Sequence, residues 1–395
     1  MITMENKQRV KTIAVIFIIA IVLISLITEF LYIFNNKYTY NKLQPEKGVL
    51  TLSQEEIDSN PFHFLIKDWE FYEDALLTPT YFKNQTSLPN MKYVSIGDTE
   101  SAYTSQTKNN TFIGTYRMKI NFPEKEGFYA LEMPQVYSAY ELYINDKLYL
   151  KVGDTHNYKA QIQNRCTFFT ASGETYITIA VKDASGIKAG ITSPPTLGKP
   201  YSINITRAFK FLINNFIMTL IFFGALFSLI LALSGKSNYS YMFFFMCLTY
   251  AVYLNHPLIN LCFSMGGNFS YVFEYFCTYF VYLMVIMLQN RLCNLNKTVS
   301  SISEICGSVF CAIAFIYGVF TPYLSAPLCT FLSTLCNVFE WLAAIYLVAI
   351  GTYAVFNDIK YGRIFLFGNV ALSHRYYFTL FNRFMIRFTP TSRLK

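Results

Sequence analysis

The feature that most constrains this chain is an uncharged apolar run of 23 residues, Phe211–Leu233. As an α-helix rising about 1.5 Å per residue, the run matches the roughly 30 Å hydrocarbon core of a lipid bilayer. We therefore predict a transmembrane helix here. The residues before the run are mostly polar and those after it are mostly apolar, so we expect an exported domain joined directly to a membrane bundle.

The composition excludes a single soluble globular domain. Of the 395 residues, 53% are hydrophobic and 14% are charged, whereas about 25% are charged in a typical soluble domain. The net charge of +8 does not indicate nucleic-acid binding, because many Lys and Arg residues lie beside apolar runs. The nine cysteines include no CxxC pair and the four histidines have no ligand spacing, so no disulfide framework, metal or cofactor is predicted.

The N-terminal segment combines positive charge with a second apolar run. Residues 1–11 contain three basic side chains, and residues 12–34 are apolar except for Glu29. A cleaved signal peptide and an uncleaved signal anchor both begin in this way, but this apolar run is about twice the usual signal-peptide length and lacks a small-residue cleavage site. We predict a cytoplasmic N-terminus at 1–11 and a signal-anchor transmembrane helix at 12–34, with Glu29 near its outer end.

Residues 35–206 carry a pattern typical of short β-strands. Apolar residues alternate with polar ones in runs that Gly, Pro, Asn and Asp separate. Strands are predicted in five runs: Phe64–Tyr72, Gly114–Phe122, Gly127–Met133, Tyr140–Leu150 and Glu174–Val181. Residues 182–203 are rich in Gly, Pro and Ser, and we expect a loop and a final short strand there.

One of these runs, Tyr140–Leu150, predicts a hairpin. Asn145 and Asp146 lie between two alternating segments, and both residue types tolerate the positive φ of a tight turn. Side chains alternate between the faces of a strand. The expected core face is therefore formed by Tyr140, Leu142 and Ile144.

The remaining apolar segments, within residues 207–372, predict a transmembrane bundle. Five runs are long enough for helices: Phe211–Leu233, Tyr239–Leu254, Tyr271–Gln289, Ile302–Phe320 and Cys329–Phe356. A weaker run from Ile364 is predicted to start a sixth helix.

Charges in the loops predict the orientation of the bundle. Lys and Arg favour cytoplasmic loops, and here they occupy alternate loops, at Lys236, Arg291, Lys297, Lys360 and Arg363. Arg207 and Lys210, just outside the first bundle helix, are exceptions. The alternation predicts a multi-pass protein of the cell membrane, with the lipid bilayer as its partner and residues 35–206 outside the cytoplasm.

Polar residues within the bundle allow two interpretations. Glu274 and Glu340 are candidate intramembrane acids, and Asn214, Asn215 and Asn337 are candidates for hydrogen bonds between helices. Buried carboxylates can mark a proton or ion pathway. No basic partner is evident within the helices, so we favour ordinary contacts or placement at the membrane interface.

Four segments carry a resemblance to a known family. They are DWEFYEDALLTPTYF at Asp68–Phe82, GTYRMKINFP at Gly114–Pro123, SAYELYINDKLYLKVGD at Ser138–Asp154 and GITSPPTLGKP at Gly190–Pro200. In this order, and followed by the bundle, they resemble the bacterial seven-transmembrane receptors with diverse intracellular signalling modules. The resemblance covers the chain from about Pro61 to Gly362. It implies an all-β jelly-roll ectodomain of galactose-binding-like type followed by an α-helical transmembrane bundle. With the N-terminal transmembrane helix predicted above, the expected fold is that of a multi-domain membrane protein.

The C-terminal part departs from that family. Family members have seven helices after the ectodomain and then a cytoplasmic output module, whereas this sequence shows five helices and the start of a sixth, with no cyclase or kinase motif. Residues 373–395 are strongly basic. Either this tail lies along the inner membrane surface as an amphipathic segment, or a frameshift or premature stop after about Leu372 has replaced the family sequence, which is the interpretation we favour.

The resemblance implies a sensory role for the chain. The ectodomain would bind an extracellular ligand, for which a carbohydrate-like molecule is the favoured candidate. The bundle would relay the resulting conformational change inward. A jelly roll that binds sugars stacks an aromatic ring on the sugar face. Trp69, Tyr72 and Tyr81 are therefore the candidate ligand-binding residues, and a place in the core is the alternative for each.

Two other classes of function are weighed against the sensor. A membrane scaffold or partner subunit would use the ectodomain only to dock other proteins, in a homo-oligomer or with a membrane partner. A glycosidase would need a pair of carboxylates, for which the ectodomain offers Glu70, Asp74, Glu132 and Glu141. We expect no enzymatic activity and assign no catalytic residue.

Overall fold

The structure is a computed structural model, and it combines a β-sheet region with a helical region. It describes residues 4–36, 43–84, 90–96, 112–184, 190–235, 239–263, 267–320 and 323–373. The predicted basic tail, apart from its first residue, therefore lies outside the described residues. Within the described ranges, the β region precedes the apolar helices that follow residue 199, as the sequence predicts.

The β region is built from two sheets. The larger has the strand order β4-β3-β5-β10-β7-β8, with β1 paired beside β5 in parallel. Its strands are β1 (Val49–Thr51), β3 (Trp69–Glu73), β4 (Met91–Val94), β5 (Phe112–Asn121), β7 (Ala139–Ile144), β8 (Lys147–Val152) and β10 (Glu174–Asp183). The smaller has the order β2-β11-β6-β9, with strands β2 (Phe62–Phe64), β6 (Gly127–Met133), β9 (Arg165–Ala171) and β11 (Thr196–Gly198). Two short helices, α2 (Gln54–Ser59) and α3 (Pro79–Asn84), interrupt the strands.

One hydrophobic core joins the two sheets, so the β region is a sandwich. Buried side chains of the larger sheet, such as Met118 and Ile179, belong to the same cluster as Leu131 and Phe169 of the smaller sheet. Residues that alternate with them face outward, because successive side chains of a strand point to opposite faces.

The predicted hairpin and its core face are confirmed. Strands β7 and β8 pair in antiparallel register around a turn in which Asn145 has a φ of 52°. Tyr140 and Leu142 are completely buried and Ile144 is 4% exposed. A strictly alternating run with a turn signal at its centre was sufficient to predict this element.

The prediction of one continuous strand at Phe64–Tyr72 is wrong. The structure divides this run between β2 in the smaller sheet and β3 in the larger one. Asp68, just before β3, has a φ of 53°, so the backbone turns between the two sheets at a place where the side-chain pattern alone suggests one strand.

The helical region contains long apolar helices. They are α1 (Met4–Asn36), α4 (Pro200–Leu233), α5 (Ser240–Phe263), α6 (Gly267–Leu292), α7 (Lys297–Phe320), α8 (Ala326–Phe356) and α9 (362–373). Within the described residues, five helices are long and apolar enough to cross a membrane, namely α1, α4, α6, α7 and α8. The apolar part of α5, Ser240–Asn255, is shorter.

Helix α1 is part of the helical region and does not stand apart from it. Ala20 is fully buried in a cluster with Val355, Leu366 and Val370 of helices α8 and α9. Near the start of the same helix, the Arg9 guanidinium donates hydrogen bonds to the Phe356 carbonyl and to Asp358. These contacts join α1 to the helices that follow the sandwich, and the absence of cleavage stays a prediction.

Helix α9 supplies the predicted start of a sixth helix after the β region. Asn369 is 3% exposed and exchanges hydrogen bonds with Gln289 of α6 at 2.6 and 2.8 Å. Its amide also donates to the Leu347 carbonyl of α8 at 2.6 Å. A fully satisfied carboxamide pair is the form in which polar groups are tolerated inside a bundle, so residues up to 373 belong to it.

Helix α4 crosses the domain boundary predicted at residue 207. Helix α4 already begins at Pro200, which occupies the first helical turn, a position where a missing backbone N–H is no disadvantage. The first seven residues of the helix are too polar to indicate a membrane span. Ile203, within this first part of the helix, packs on the sandwich, as described below.

The backbone near Gly153 provides a test of the sandwich. Gly153 has a φ of 75°, and a Cβ atom here would overlap the carbonyl oxygen of Lys159, which accepts the Asp154 amide at 3.0 Å. Gly153→Ala should therefore lower the unfolding free energy by about 2 kcal/mol more than Gly173→Ala, whose site is equally left-handed but open. Urea unfolding of the full chain in detergent, followed by Trp69 fluorescence in a Trp341→Phe background, measures this difference. Equal losses in the two variants would contradict it.

The environment of His63 predicts loss of stability in acid. His63 is 5% exposed, and neither ring nitrogen has a hydrogen-bond partner among the described residues. Burial lowers the pKa of His63 below its usual value, and the nearby Glu56 carboxylate opposes this effect. The unfolded chain therefore takes up a proton first as the pH falls below about 6.5, and the unfolding free energy should decrease by up to about 1.4 kcal/mol per pH unit until the folded-state pKa is reached.

Replacement of the imidazole isolates this effect. His63→Phe should remove the loss between about pH 6.5 and 5, while His156→Gln, at an exposed histidine, should leave it in place. Unfolding midpoints of the full chain measured across this pH range check both expectations. An acid loss that is unchanged in His63→Phe would refute the assignment.

Candidate functional site

The candidate site is the junction at which the sandwich meets helices α4, α5 and α6. The first turns of α4 lie on the outer face of the smaller sheet, where Ile203 is 1% exposed and packs against Phe62 and Ala130. The same helix continues to Leu233 without a break. A single helix thus belongs to the sandwich at one end and to the apolar region at the other.

An ion pair follows one turn further along α4. The Arg207 Nε atom lies 3.4 Å from Oε1 of Glu132 on β6, and this oxygen also accepts a hydrogen bond of 3.1 Å from the Asn164 amide. Arg207 was an exception to the loop-charge pattern. The structure gives the physical reason, because this cation is paired with the β domain.

A second polar contact reaches helix α6. The Tyr137 hydroxyl, in the loop between β6 and β7, donates a hydrogen bond of 2.9 Å to Oε2 of Glu274. Burial raises the pKa of Tyr137, and the Glu274 carboxylate raises it further, so the phenol keeps its proton. Glu274 therefore lies at the boundary with the sandwich, which agrees with the interface placement that the sequence favours.

A cavity of about 540 Å³, named the junction cavity below, lies beside the Arg207–Glu132 pair. Strand β6 and the adjoining loops of the sandwich provide one side, and helices α4 and α5 provide the other. Its lining is formed by Glu132, Gln135, Gln163, Asn164, Arg207, Ala208, Lys210, Phe211, Asn214, Asn215 and Asn255. The volume is within the 300–1,000 Å³ range of small-molecule sites.

The helix side of this cavity contains three asparagines whose amide groups bond to the backbone. Asn214 donates to the Leu254 carbonyl of α5 at 3.2 Å, which confirms the predicted bond between helices. Asn215 donates to Phe211 of its own helix at 2.8 Å, so the prediction for this residue is wrong. Asn255 donates to Ala251 at 3.3 Å, and its buried Oδ1 atom has no partner among the described residues.

The structure buries two of the predicted ligand-binding residues, Trp69 in the core between the sheets and Tyr72 on the outer face of the larger sheet. Trp69 is fully buried and its indole N–H donates to the Leu65 carbonyl at 2.9 Å. Tyr72 is 2% exposed, with its ring against Phe82. Neither ring offers a face to a ligand, and Trp69 takes the place in the core that the sequence left open as its alternative. Tyr81 is partly exposed, and ligand binding by this residue stays a prediction.

Sequence reasoning missed an exposed aromatic pair on the smaller sheet. Phe128 of β6 and Phe168 of β9 are 58% and 41% exposed, and their rings stack with centroids 6.1 Å apart. Phe128 shares its sheet face with Ala130, which Ile203 of α4 covers. The alternation of β6 could have indicated that Phe128 points outward, opposite Tyr129 and Leu131.

Three of the acids considered for a glycosidase are held apart by the fold. Glu70 and Glu141 lie on the outward face of the larger sheet, on β3 and β7, which two strands separate. At roughly 4.8 Å per strand this is about 14 Å, more than the ~5–9.5 Å between catalytic carboxylates. Glu132 lies on the other sheet. Each of the three is instead paired with a cation, Arg117, Lys151 and Arg207 respectively.

Metal ligands are not brought together in the part of the chain that the structure describes. There, no group of three or more His, Cys, Asp or Glu side chains is placed to hold an ion. The polar groups that line the junction cavity are mainly amide, guanidinium and ammonium groups, and they suit an anionic or hydroxylated organic ligand better than a cation.

Comparison with known proteins gives little beyond the geometry. No family model and no curated relative matches the chain. A GH2 β-galacturonidase from Eisenbergiella tayi bound to galacturonate is 11% identical, with 35% of this chain and 24% of that chain covered and a TM-score of 0.26. A β-glucuronidase from Faecalibacterium prausnitzii is 15% identical, with 35% and 31% covered and a TM-score of 0.26.

A third solved structure is similar to the same degree. A β-glucosidase from Kluyveromyces marxianus is 14% identical, with 40% of this chain and 16% of that chain covered and a TM-score of 0.22. The chain thus spans less than a third of the length of these glycosidases, and similarity at such scores carries no argument about its activity. No family is shown, and the function is argued below from the junction itself.

The contact between Tyr137 and Glu274 predicts energetic coupling between the sandwich and α6. Tyr137→Phe and Glu274→Gln should each destabilise the sandwich, and their double-mutant cycle should give a coupling energy of about 0.5–3 kcal/mol. The measurement is urea unfolding of the full chain, reported by Trp69 in the Trp341→Phe background. Tyr143→Phe is the matched control, because the Tyr143 hydroxyl bonds to Glu141 within the sandwich at 2.6 Å. A cycle of Glu274→Gln with this control should give no coupling, and no coupling with Tyr137→Phe would contradict the contact.

Proposed function

We propose that this chain is the sensory portion of a membrane signalling protein, with the sandwich outside the cell and the helices in the membrane. The observation that carries the proposal is the continuity of α4 between the sandwich and the apolar region. A domain attached by a flexible linker could not transmit a change of orientation. Here the sandwich holds α4 through Ile203 and Arg207 and holds α6 through Tyr137.

These two attachments define how a signal would pass. Both lie near the end of β6, yet they engage different helices, so a small movement of this edge displaces α4 relative to α6. A ligand shifts such an equilibrium only by as much as its affinities for the two arrangements differ. The ligand must therefore contact groups whose positions differ between the two arrangements.

The favoured ligand for the sandwich is a carbohydrate, as expected for a jelly roll of the galactose-binding-like type. Sugars bind with one face against an aromatic ring and hydroxyl groups at polar side chains. Phe128 and Phe168 present such rings to solvent on the sheet face that also carries α4. A sugar bound there would lie on the same face as the helix attachment.

A glycan array probed with the full chain in detergent, followed by calorimetry, tests this proposal. We expect a bound glycan whose affinity falls about tenfold or more in Phe128→Ala, because an exposed stacking ring contributes a few kcal/mol of contact. Tyr93→Ala is the matched control, because Tyr93 is 44% exposed on the opposite sheet, and it should bind normally. Absence of any glycan binding would refute the carbohydrate form.

The same exposed pair also fits the second class of function, a membrane scaffold that docks other proteins. Exposed aromatic side chains are enriched at protein interfaces. Crosslinking in the native membrane distinguishes the two functions, since a scaffold predicts a stoichiometric partner that Phe128→Ala loses. A full chain that binds glycan and crosslinks to no partner would refute the scaffold.

A further inference from the structure

We propose that the junction cavity binds a phosphate ester that carries free hydroxyl groups, of the kind found in the glycerol phosphate headgroup of an anionic phospholipid. The inference rests on the membrane placement proposed above and does not depend on carbohydrate binding by the sandwich. It assigns the cavity a ligand of its own, at the point where the sandwich contacts helices α4 and α5.

The charges of the lining favour an anion. Two cations, Arg207 and Lys210, face a single carboxylate, Glu132, so the lining carries one net positive charge. Glu132 is already engaged by Arg207 and by the Asn164 amide. The Lys210 ammonium has no partner among the described residues, and Lys210 is exposed. A phosphate oxygen would supply this partner through a charge-assisted hydrogen bond.

The carboxamides of the lining favour hydroxyl groups on the same ligand. The amides of Asn214, Asn215 and Asn255 donate to backbone carbonyls, so their oxygens are the atoms left to accept. The Asn255 Oδ1 atom is buried and accepts no hydrogen bond from the described residues. A group in the cavity does not reach this atom, so the acceptors open to a ligand hydroxyl are the side-chain oxygens of Asn214 and Asn215.

The position of the cavity matches the depth of a lipid headgroup. Phe211, which belongs to the lining, is also the first residue of the uncharged apolar run. Residues just before such a run lie where headgroups meet the hydrocarbon. Polar groups of the cavity would therefore meet a headgroup, while the exposed apolar face of α4 contacts its acyl chains.

Other headgroups fit this lining less well. A choline headgroup has no hydroxyl or N–H donor for the asparagine oxygens, and it is neutral overall. An ethanolamine headgroup has donors, but it is also neutral and would place an ammonium near Lys210. Phosphatidic acid supplies the charge without the hydroxyls. Phosphatidylglycerol supplies both, as does free glycerol 3-phosphate from solution.

Native mass spectrometry of the detergent-purified full chain, titrated with single lipids, tests the proposal. Phosphatidylglycerol should bind as one molecule, about tenfold or more tighter than phosphatidylcholine or phosphatidylethanolamine. Lys210→Gln should remove most of this preference. Lys199→Gln is the matched control, because Lys199 is an exposed cation that pairs with Asp58 on the sandwich and does not line the cavity. This control should bind like the original chain.

A second variant tests the role of the hydroxyls. Asn215→Leu should weaken phosphatidylglycerol binding while leaving phosphatidic acid binding unchanged, because only the former has alcohol hydroxyls to donate to this oxygen. Unfolding midpoints of all variants, reported by Trp69 fluorescence, show whether the sandwich is intact. If Asn215→Leu unfolds, Asn215→Ser retains an uncharged acceptor at the same position and should preserve the preference for phosphatidylglycerol over phosphatidylcholine in neutral buffer.

The outcomes separate the possible results. Equal affinity for phosphatidylglycerol and phosphatidylcholine, or equal losses in Lys210→Gln and Lys199→Gln, would overturn the proposal. Binding of glycerol 3-phosphate with the same dependence on Lys210 would support it and assign the ligand to a soluble source. Glycan binding that persists in Lys210→Gln would show that glycan binding by the sandwich does not depend on the cavity. If no glycan binds, the carbohydrate proposal fails, and the lipid titration still tests the proposal for the cavity.

Discussion

The structure depends on one helix that satisfies two environments. Ile203 of α4 is buried against the outer face of the smaller sheet, whereas the residues from Phe211 onward form an apolar surface. Because the helical hydrogen bonds run without interruption between these points, the sandwich cannot tilt without moving α4. The Arg207–Glu132 pair and the Tyr137–Glu274 bond fix the remaining freedom, and the junction cavity lies beside the first of these contacts.

Elements with a strong local period could be predicted from the sequence. The apolar run of α4 could be recognised because an uncharged run of this length suits a bilayer. The alternating strands β6, β7 and β8 could be recognised because burial on one face of a strand repeats every two residues. The hairpin turn at Asn145 was visible because few residue types tolerate its backbone conformation. These patterns depend only on neighbours in the sequence.

The junction could not be predicted in this way. Glu132 and Arg207 are far apart in the chain, as are Tyr137 and Glu274, and no local pattern relates them. The distribution of Lys and Arg among the loops marks Arg207 as an exception, but it does not identify the partner of this residue. The aromatic residues chosen for ligand binding, Trp69 and Tyr72, were chosen for their chemistry, and chemistry alone does not distinguish a buried ring from an exposed one such as Phe128.

Hydrogen exchange along α4, measured on the full chain in lipid nanodiscs, tests the central claim most directly. If the sandwich and the bundle are joined by one rigid helix, the backbone amides from Ile203 through Phe216 should all be protected, with no gap between the sheet contact and the apolar run. Rapid exchange confined to 204–210 would reveal a hinge at this place. Such a hinge would contradict direct coupling between the two regions.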